Sequence, residues 1–397
     1  MNRWLYLLLL AAPAAVLAEA LHAPPLAPFV LASLGLVPLA GLIGLATETL
    51  AKRFGHRIGG LLNATFGNAA EIIIGLTALA AGLPEVVRAS LAGSIIGNVL
   101  LVLGSAMLVG GWRYRRQEFD RRAAGQYAAM LALVVIGMAI PSLLATVGES
   151  TRPGAAVVRG NELHQLSIGI ALILLVCYAA YIAYSVFGLR ASRKDLPSIP
   201  APTAGSEGDV NRGPAYASTR VVEVAPQRWP AVAGSFAIVA TWWKTTLWLP
   251  IAVLAGVTAI TAVVSEVLVS TIEPLTHQIG LSPFFVGLII LPIVGNAAEH
   301  FSAITSAARN HMEVSMAITA GSSIQIALLA APLLVLAGPL VSVPLDLNFS
   351  LLEVALFGLV AGLYALISLD GESTWLEGLL LCAFYLILAV GTFFTPA

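Results

Sequence analysis

Charge is what this 397-residue sequence has least of. Only 10% of its residues are Asp, Glu, Lys or Arg and 58% are hydrophobic, whereas soluble domains carry roughly 25% charge. A water-soluble globule is excluded. There are two cysteines, Cys177 and Cys382, far apart inside apolar runs where buried reduced thiols are the usual outcome, so neither a disulfide framework nor a cysteine metal site is expected. A basic surplus is missing as well: the net charge is −1, and scattered basic residues leave no positive face for a nucleic acid. The apolar runs hold neither a His-Glu-x-x-His pair nor a Ser/His combination, so the chain does not read as an intramembrane enzyme, and no resident cofactor is implied.

What fills the sequence instead is apolar runs of about twenty residues, the length of a membrane crossing. They lie near 3–20, 29–50, 61–82, 86–110, 124–146 and 166–188, and again near 245–270, 284–308, 313–338, 350–368 and 375–395. The expected fold is therefore an all-α polytopic membrane protein with about eleven transmembrane helices. Between the two sets, a stretch rich in Pro, Gly, Ser and Ala reads as a cytoplasmic linker, and the short apolar run 231–243 reads as an interfacial approach to the seventh helix. The expected divisions are an N-terminal transmembrane helix (1–26), a first five-helix repeat (27–188), the linker (189–243) and a second five-helix repeat (244–397). Arg3, the run Leu5 to Leu10 and Ala18-Glu19-Ala20 also fit a cleavable signal peptide, which would leave the topology unchanged. With the N-terminus in the cytoplasm and the C-terminus outside, about seventeen of the twenty Lys and Arg fall on the cytoplasmic side; only Arg88, Arg152 and Arg159 lie outside.

The halves are copies. Gly67-Asn68-Ala69-Ala70-Glu71 recurs as Gly295-Asn296-Ala297-Ala298-Glu299, an offset of 228 residues that also superposes Thr77 on Thr305, Glu85 on Glu313 and Ala92-Gly93-Ser94 on Ala320-Gly321-Ser322. Over 67–103, roughly 16 of 37 positions agree. Five helices per copy is an odd number, which forces opposite orientations: an inverted-topology repeat, with an ion site expected near the midplane where the copies meet.

Each copy carries a glutamate inside an apolar helix, where an unpaired charge costs at least ~2.5 to 3.5 kcal/mol. No Lys or Arg lies in the middle of any expected span. Cation binding and proton carriage are the expected uses, ahead of two protonated glutamates that simply help the helices to pack. Asn68 precedes Glu71 by three positions and Asn296 precedes Glu299 by three, so each amide is expected on the same helix face as its carboxylate. Gly67 and Gly295 allow close backbone approach, and Pro292 can free backbone carbonyls. In the following helices Ser94 with Asn98, and Ser322 with Gln325, are candidate secondary ligands. Two carboxylates with neutral amide, hydroxyl and carbonyl oxygens suit Ca2+, and no histidine or thiolate cluster points to zinc or copper. When the metal leaves, two like charges held together cannot both stay ionised, so protons and metal compete for the same oxygens.

The run Arg57 to Glu71, Gly295 to His300, and Gly321-Ser322-Ser323-Ile324-Gln325-Ile326-Ala327 resemble the signatures of the calcium/proton exchangers of the cation/calcium antiporter superfamily. The resemblance covers nearly the whole chain. It implies Glu71 and Glu299 as central Ca2+ ligands and proton carriers, with Asn68, Asn296, Ser94, Asn98, Ser322 and Gln325 in or beside the site. It also implies sliding gating helices, here the second and seventh, which hold Glu48 and Glu266 as proton-path or gating carboxylates. The expected activity is exchange of cytoplasmic Ca2+ for H+ across a bacterial-type inner membrane, ahead of a vacuolar one. A Na+/Ca2+ exchanger or a Mn2+/H+ antiporter stands next and a cation channel last. The partners are the bilayer, Ca2+ and protons, and the family's homotrimers allow a homo-oligomer. The acidic helix of many members is absent, since 189–230 holds only Asp195, Glu207, Asp209 and Glu223 among six basic residues.

Overall fold

The structure, a computed structural model, describes residues 7–151, 160–186 and 248–394, without the side chains of 55–60, 63, 64, 147–151, 185 and 186. The linker and the approach at 231–243 lie outside the described residues, as do Arg3 and the first six positions. The rest is nearly all helix. In chain order the elements are α1 (Ala11–Ala20), α2 (Leu26–Phe66), α3 (Ala69–Ala80), α4 (Pro84–Tyr114), β1 (Arg116–Glu118), α5 (Arg121–Thr151) and α6 (Asn161–Val186). The second half follows as α7 (Trp248–Ile279), α8 (Pro283–Gly295), α9 (Ala297–Ala307), α10 (Met312–Val341), α11 (Leu351–Ile367), β2 (Glu372–Thr374) and α12 (Trp375–Phe393).

Among the described residues seven helices are long and apolar enough to cross a membrane, or eight if α8 and α9 form one bent span. The expected eleven is reached only by adding α1, α3 and α11, which are shorter. One expected boundary is corrected. The second and third runs are not separated by an irregular connection: α2 is helical throughout its 41 residues, about 60 Å at 1.5 Å per residue. Lys52, Arg53 and Arg57 break the apolar pattern without breaking the helix, because basic residues are good helix formers.

The repeat is visible in backbone detail. A π-helical stretch at Asn98–Leu103 in α4 returns at Ile326–Ala330 in α10, at the sequence offset. The turn before each of these helices contains a left-handed residue, Gly82 at φ 79° and Asn310 at φ 64°; glycine and asparagine adopt that conformation at least cost. α4 and α10 form the centre: 78% of the apolar window of α4 is buried against 28% for α6 and α12, whose exposed Leu, Ile and Val face outward. Cys177 lies on that outward face of α6 and Cys382 is half-buried on α12; both are free thiols.

α12 packs along α4 through glycines. A Cβ on Gly104 would lie 2.9 Å from Leu381 Cβ, and one on Gly378 would lie 2.3 Å from the Leu108 nitrogen. Contacts at the two ends of the bundle group the connections as an inverted repeat requires. At one end β1 pairs antiparallel with β2, Gln117 opposite Ser373, and the Gln117 amide donates to Ala307 O (2.9 Å) and Asn310 Oδ1 (3.0 Å). At the other, His164 Nδ1 lies 2.8 Å from Asp346, the Leu347 N–H donates to Ser167, and Ser270 donates to Glu19 at 2.6 Å. Each group joins connections that the helix count puts on one face.

Candidate ion site

Both signature motifs break their helices. Asn68 sits between α2 and α3 at φ −99°, ψ 21°, and Asn296 between α8 and α9 at φ −93°, ψ 10°, almost the same backbone in each copy. α8 and α9 meet at 62°. This corrects the expectation that each asparagine shares a continuous helix face with its glutamate: the asparagine is the N-cap residue, and Glu71 and Glu299 occupy the first turns of α3 and α9. The break puts each carboxylate at a helix N-terminus, whose unpaired N–H groups favour negative charge. A carboxylate with no Lys or Arg ion pair among the described residues gains electrostatic support this way.

Neither asparagine uses its side chain to cap its own helix. Each amide instead reaches across the repeat interface. Asn68 Nδ2 donates to Gln325 Oε1 at 2.7 Å, and Asn296 Nδ2 donates to Ser94 Oγ at 3.0 Å and to Pro292 O at 3.1 Å. Asn98 Nδ2 donates to Ser322 Oγ at 3.1 Å, and Ser322 in turn interacts with the Glu299 carboxylate. Glu71 crosses toward the second motif: a Cβ on Gly295 would lie 3.4 Å from Glu71 Cγ. The two glutamates lie within electrostatic reach of each other. The eight residues singled out from the sequence as ligands thus interact across the repeats in groups: Asn68 with Gln325, Asn296 with Ser94, Asn98 with Ser322 and Glu299, and Glu71 with Glu299.

Committing the amide nitrogens to hydrogen bonds leaves the oxygens over. Asn68 Oδ1, Asn296 Oδ1, Glu71 Oε2 and Glu299 Oε2 are all buried and have no hydrogen-bond partner. Unsatisfied buried acceptors are costly and rare in folded proteins. Here four belong to the two motifs, two from each repeat, and all are hard oxygen donors of the kind that hold Ca2+. Among the described residues no three His, Cys, Asp or Glu side chains cluster, so the formal charge of this site is that of two glutamates.

Other expected participants lie elsewhere. Leu288 O, the carbonyl whose helical partner Pro292 lacks an N–H, packs against Gly93, next to Ser94; a Cβ on Gly93 would fall within 2.0 Å of it. Glu48 makes a 2.7 Å ion pair with Lys52 on its own helix, and Glu266 is on an exposed face of α7. Sequence reasoning missed one buried polar group, Tyr385 of α12 over Gly97, because that helix carries no motif. The only signal for it was a mismatch in the repeat, Gly97 standing where the second copy has Gln325.

Two inverted copies of a broken-helix motif, meeting at a buried cluster of oxygens within a bundle of membrane-length helices, define the architecture of a secondary transporter of cations. The model of the sodium/calcium exchanger protein family matches residues 25–187 and 249–394. The chain belongs to that family. It is 38% identical over 394 residues to a Ca2+/H+ antiporter of Aphanothece halophytica, covering 98% of this chain and 96% of that protein. The Ca2+/H+ antiporter ChaA of Bacillus subtilis is 35% identical, with 99% of both chains covered. Among solved structures, native YfkE superposes with a TM-score of 0.76 at 33% identity, over 99% of this chain and 100% of that one.

Proposed function

We propose that this protein exchanges cytoplasmic Ca2+ for H+ by alternating access, with Glu71 and Glu299 binding Ca2+ or protons in competition. The observation that carries the reading is the set of four buried, unpartnered oxygens contributed symmetrically by the two motifs. Two glutamates neutralise one divalent ion, and the asparagine oxygens add uncharged ligands without adding charge. Without the ion, the carboxylates repel each other across a poorly solvated space, so protons replace it. The site then crosses the membrane neutralised by either cargo, whereas an empty, doubly charged site is too unfavourable to cross. Exchange of two protons for one Ca2+ is electroneutral, and each unit of pH gradient then supplies ~2.7 kcal/mol, twice the ~1.36 of a single proton.

In this reading Asn98, Ser322, Ser94 and Gln325 hold the inner ligands in place. Glu48 and Glu266 act as proton-path or gating carboxylates on α2 and α7. The protein sits in a cell inner (plasma) membrane with its N-terminus in the cytoplasm, an orientation supported by the distribution of Lys and Arg.

The test is Ca2+ uptake into everted vesicles driven by an acid-inside pH gradient, with Na+ substituted for the gradient in a parallel arm. Uptake that follows the gradient and vanishes in Glu71→Gln and Glu299→Gln is the expected result. Uptake driven by Na+ alone would move the reading to a sodium-coupled exchanger, and uptake that persists in either variant would sink the shared carboxylate site.

A further inference from the structure

The two copies of the site are not lined alike. In the second repeat Gln325 stands three residues after Ser322, and its Oε1 accepts the 2.7 Å hydrogen bond from Asn68. The corresponding residue of the first repeat, three after Ser94 and next to Asn98, is Gly97. The first repeat therefore has no side chain at this position, and Asn296 donates instead to Ser94 Oγ at 3.0 Å. The space over Gly97 is taken by Tyr385 of α12: a Cβ on Gly97 would lie 3.7 Å from its Cε2 and 3.9 Å from its hydroxyl. Tyr385 is brought there by the close packing of α12 on α4 through Gly104 and Gly378.

Packing accounts for the ring but not for the hydroxyl. Tyr385 is 3% exposed, and its oxygen is buried with no hydrogen-bond partner. A phenylalanine would fill the same volume without leaving a polar group unpaired, which is costly in an apolar interior. The fully buried Tyr364 is treated differently and donates to Met316 O at 3.3 Å, although the Tyr178 hydroxyl on α6 is also without a partner. The orphan hydroxyl lies over Gly97, which stands between Ser94 and Asn98 in α4 at the repeat position that Gln325 holds in the second copy.

We propose that the Tyr385 hydroxyl is a further polar group of the ion site, supplied by α12 on the Asn296 side in place of the glutamine missing at Gly97, and that it hydrogen-bonds a water of the bound divalent cation. A hydroxyl both donates and accepts, so it can hold a cation-bound water that donates to it, and it leaves the asparagine and glutamate oxygens free for the ion. Tyr385 is thereby a positioning residue for the hydrated ion. The proposal rests on the exchange reading above.

The test is Tyr385→Phe, which removes one oxygen and nothing else, examined by Ca2+ uptake into everted vesicles and by the rise in melting temperature that CaCl2 produces in the detergent-purified protein. The expected result is a KM for Ca2+ raised about three- to tenfold, the value of one hydrogen bond, with kcat nearly unchanged and a smaller Ca2+-dependent rise in Tm. The Tm without Ca2+ should stay level or increase, because an unpaired polar atom has been removed. A variant with wild-type KM and wild-type Ca2+ response overturns the proposal, as does a KM increase accompanied by a lower Tm without Ca2+, which would mark a packing role. A wild-type protein that neither takes up Ca2+ nor responds to it would instead sink the exchange reading itself.

Discussion

The two repeats share a motif but differ in how tightly it is built in. In the second, the helix leading to the site is interrupted at Gly280, at φ 70°, and restarts with Ser282 as N-cap, its Oγ accepting from the Phe285 N–H, and Pro283 in the first turn. In the first, the position of Gly280 holds Lys52 and the helix continues unbroken to Phe66. Despite this, both chains break at the asparagine with nearly the same backbone angles. The geometry of the ion site has been kept in both copies while the supports have diverged, so tests that treat equivalent residues as a pair separate what the site needs from what each scaffold needs.

The largest effect is expected where the copies are most alike. Glu71→Gln and Glu299→Gln should each lower gradient-driven uptake by more than about a hundredfold, since even outer partners of a metal site are worth 10- to 100-fold. Equal losses mean the two carboxylates act as one site. A variant that keeps a substantial fraction of activity would make the copies unequal and assign the ion to one repeat.

Next comes a pair expected to behave oppositely. A Cβ on Gly93 would meet the Leu288 carbonyl at 2.0 Å and its carbon at 2.7 Å, backbone that cannot step aside, whereas one on the equivalent Gly321 meets nothing within 4 Å. Gly93→Ala should therefore destabilise the purified protein by about 1–3 kcal/mol, the range of overpacking, and reduce folded yield. Gly321→Ala should leave stability level or raise it by about 0.5–1 kcal/mol, the preference of a helix interior for alanine over glycine. Melting curves of both variants in detergent check this, and similar losses in the two would mean that α10 is as closely packed as α4 at this level.

Much of this was readable before any coordinates. The offset of 228 residues located both motifs, both turns and the helices behind them, because a gapless duplication preserves side-chain chemistry and backbone spacing together. The expected partners pair across the repeats for the same reason. The breaks at Asn68 and Asn296 were not readable, because an isolated Gly-Asn inside an apolar run is tolerated by a helix. The continuity of α2 through Lys52 and Arg53 was missed because charge was taken as a boundary, although such residues favour helix. Tyr385 was invisible because its relation to the site is made by α12, far along the chain.

A smaller effect should distinguish inner from outer members of the cluster. Asn68→Ala and Asn296→Ala each remove one of the four unpartnered oxygens, and each should raise the KM for Ca2+ about tenfold. Gln325→Ala removes only the acceptor that holds the Asn68 amide, so about a threefold change is expected, the value of a single hydrogen bond. If Gln325→Ala proves as damaging as Asn68→Ala, Gln325 is itself a ligand, and the second repeat contributes one more oxygen than the first.

The smallest effects belong to the pair farthest from the symmetry of the site. Glu48 lies at 28% side-chain exposure in its ion pair with Lys52, and such pairs on a helix contribute only ~0.3–0.5 kcal/mol. Glu266 is exposed. As gating or proton-path groups rather than ligands, Glu48→Gln and Glu266→Gln should leave the KM for Ca2+ within about twofold, less than one hydrogen bond to the ion is worth. Their effect should fall on the pH dependence of the rate. Measuring uptake rate against pH at saturating Ca2+ decides it: a displaced profile with an unchanged KM keeps both residues on the proton route, and an unchanged profile leaves them as solvated carboxylates on helices that move for other reasons.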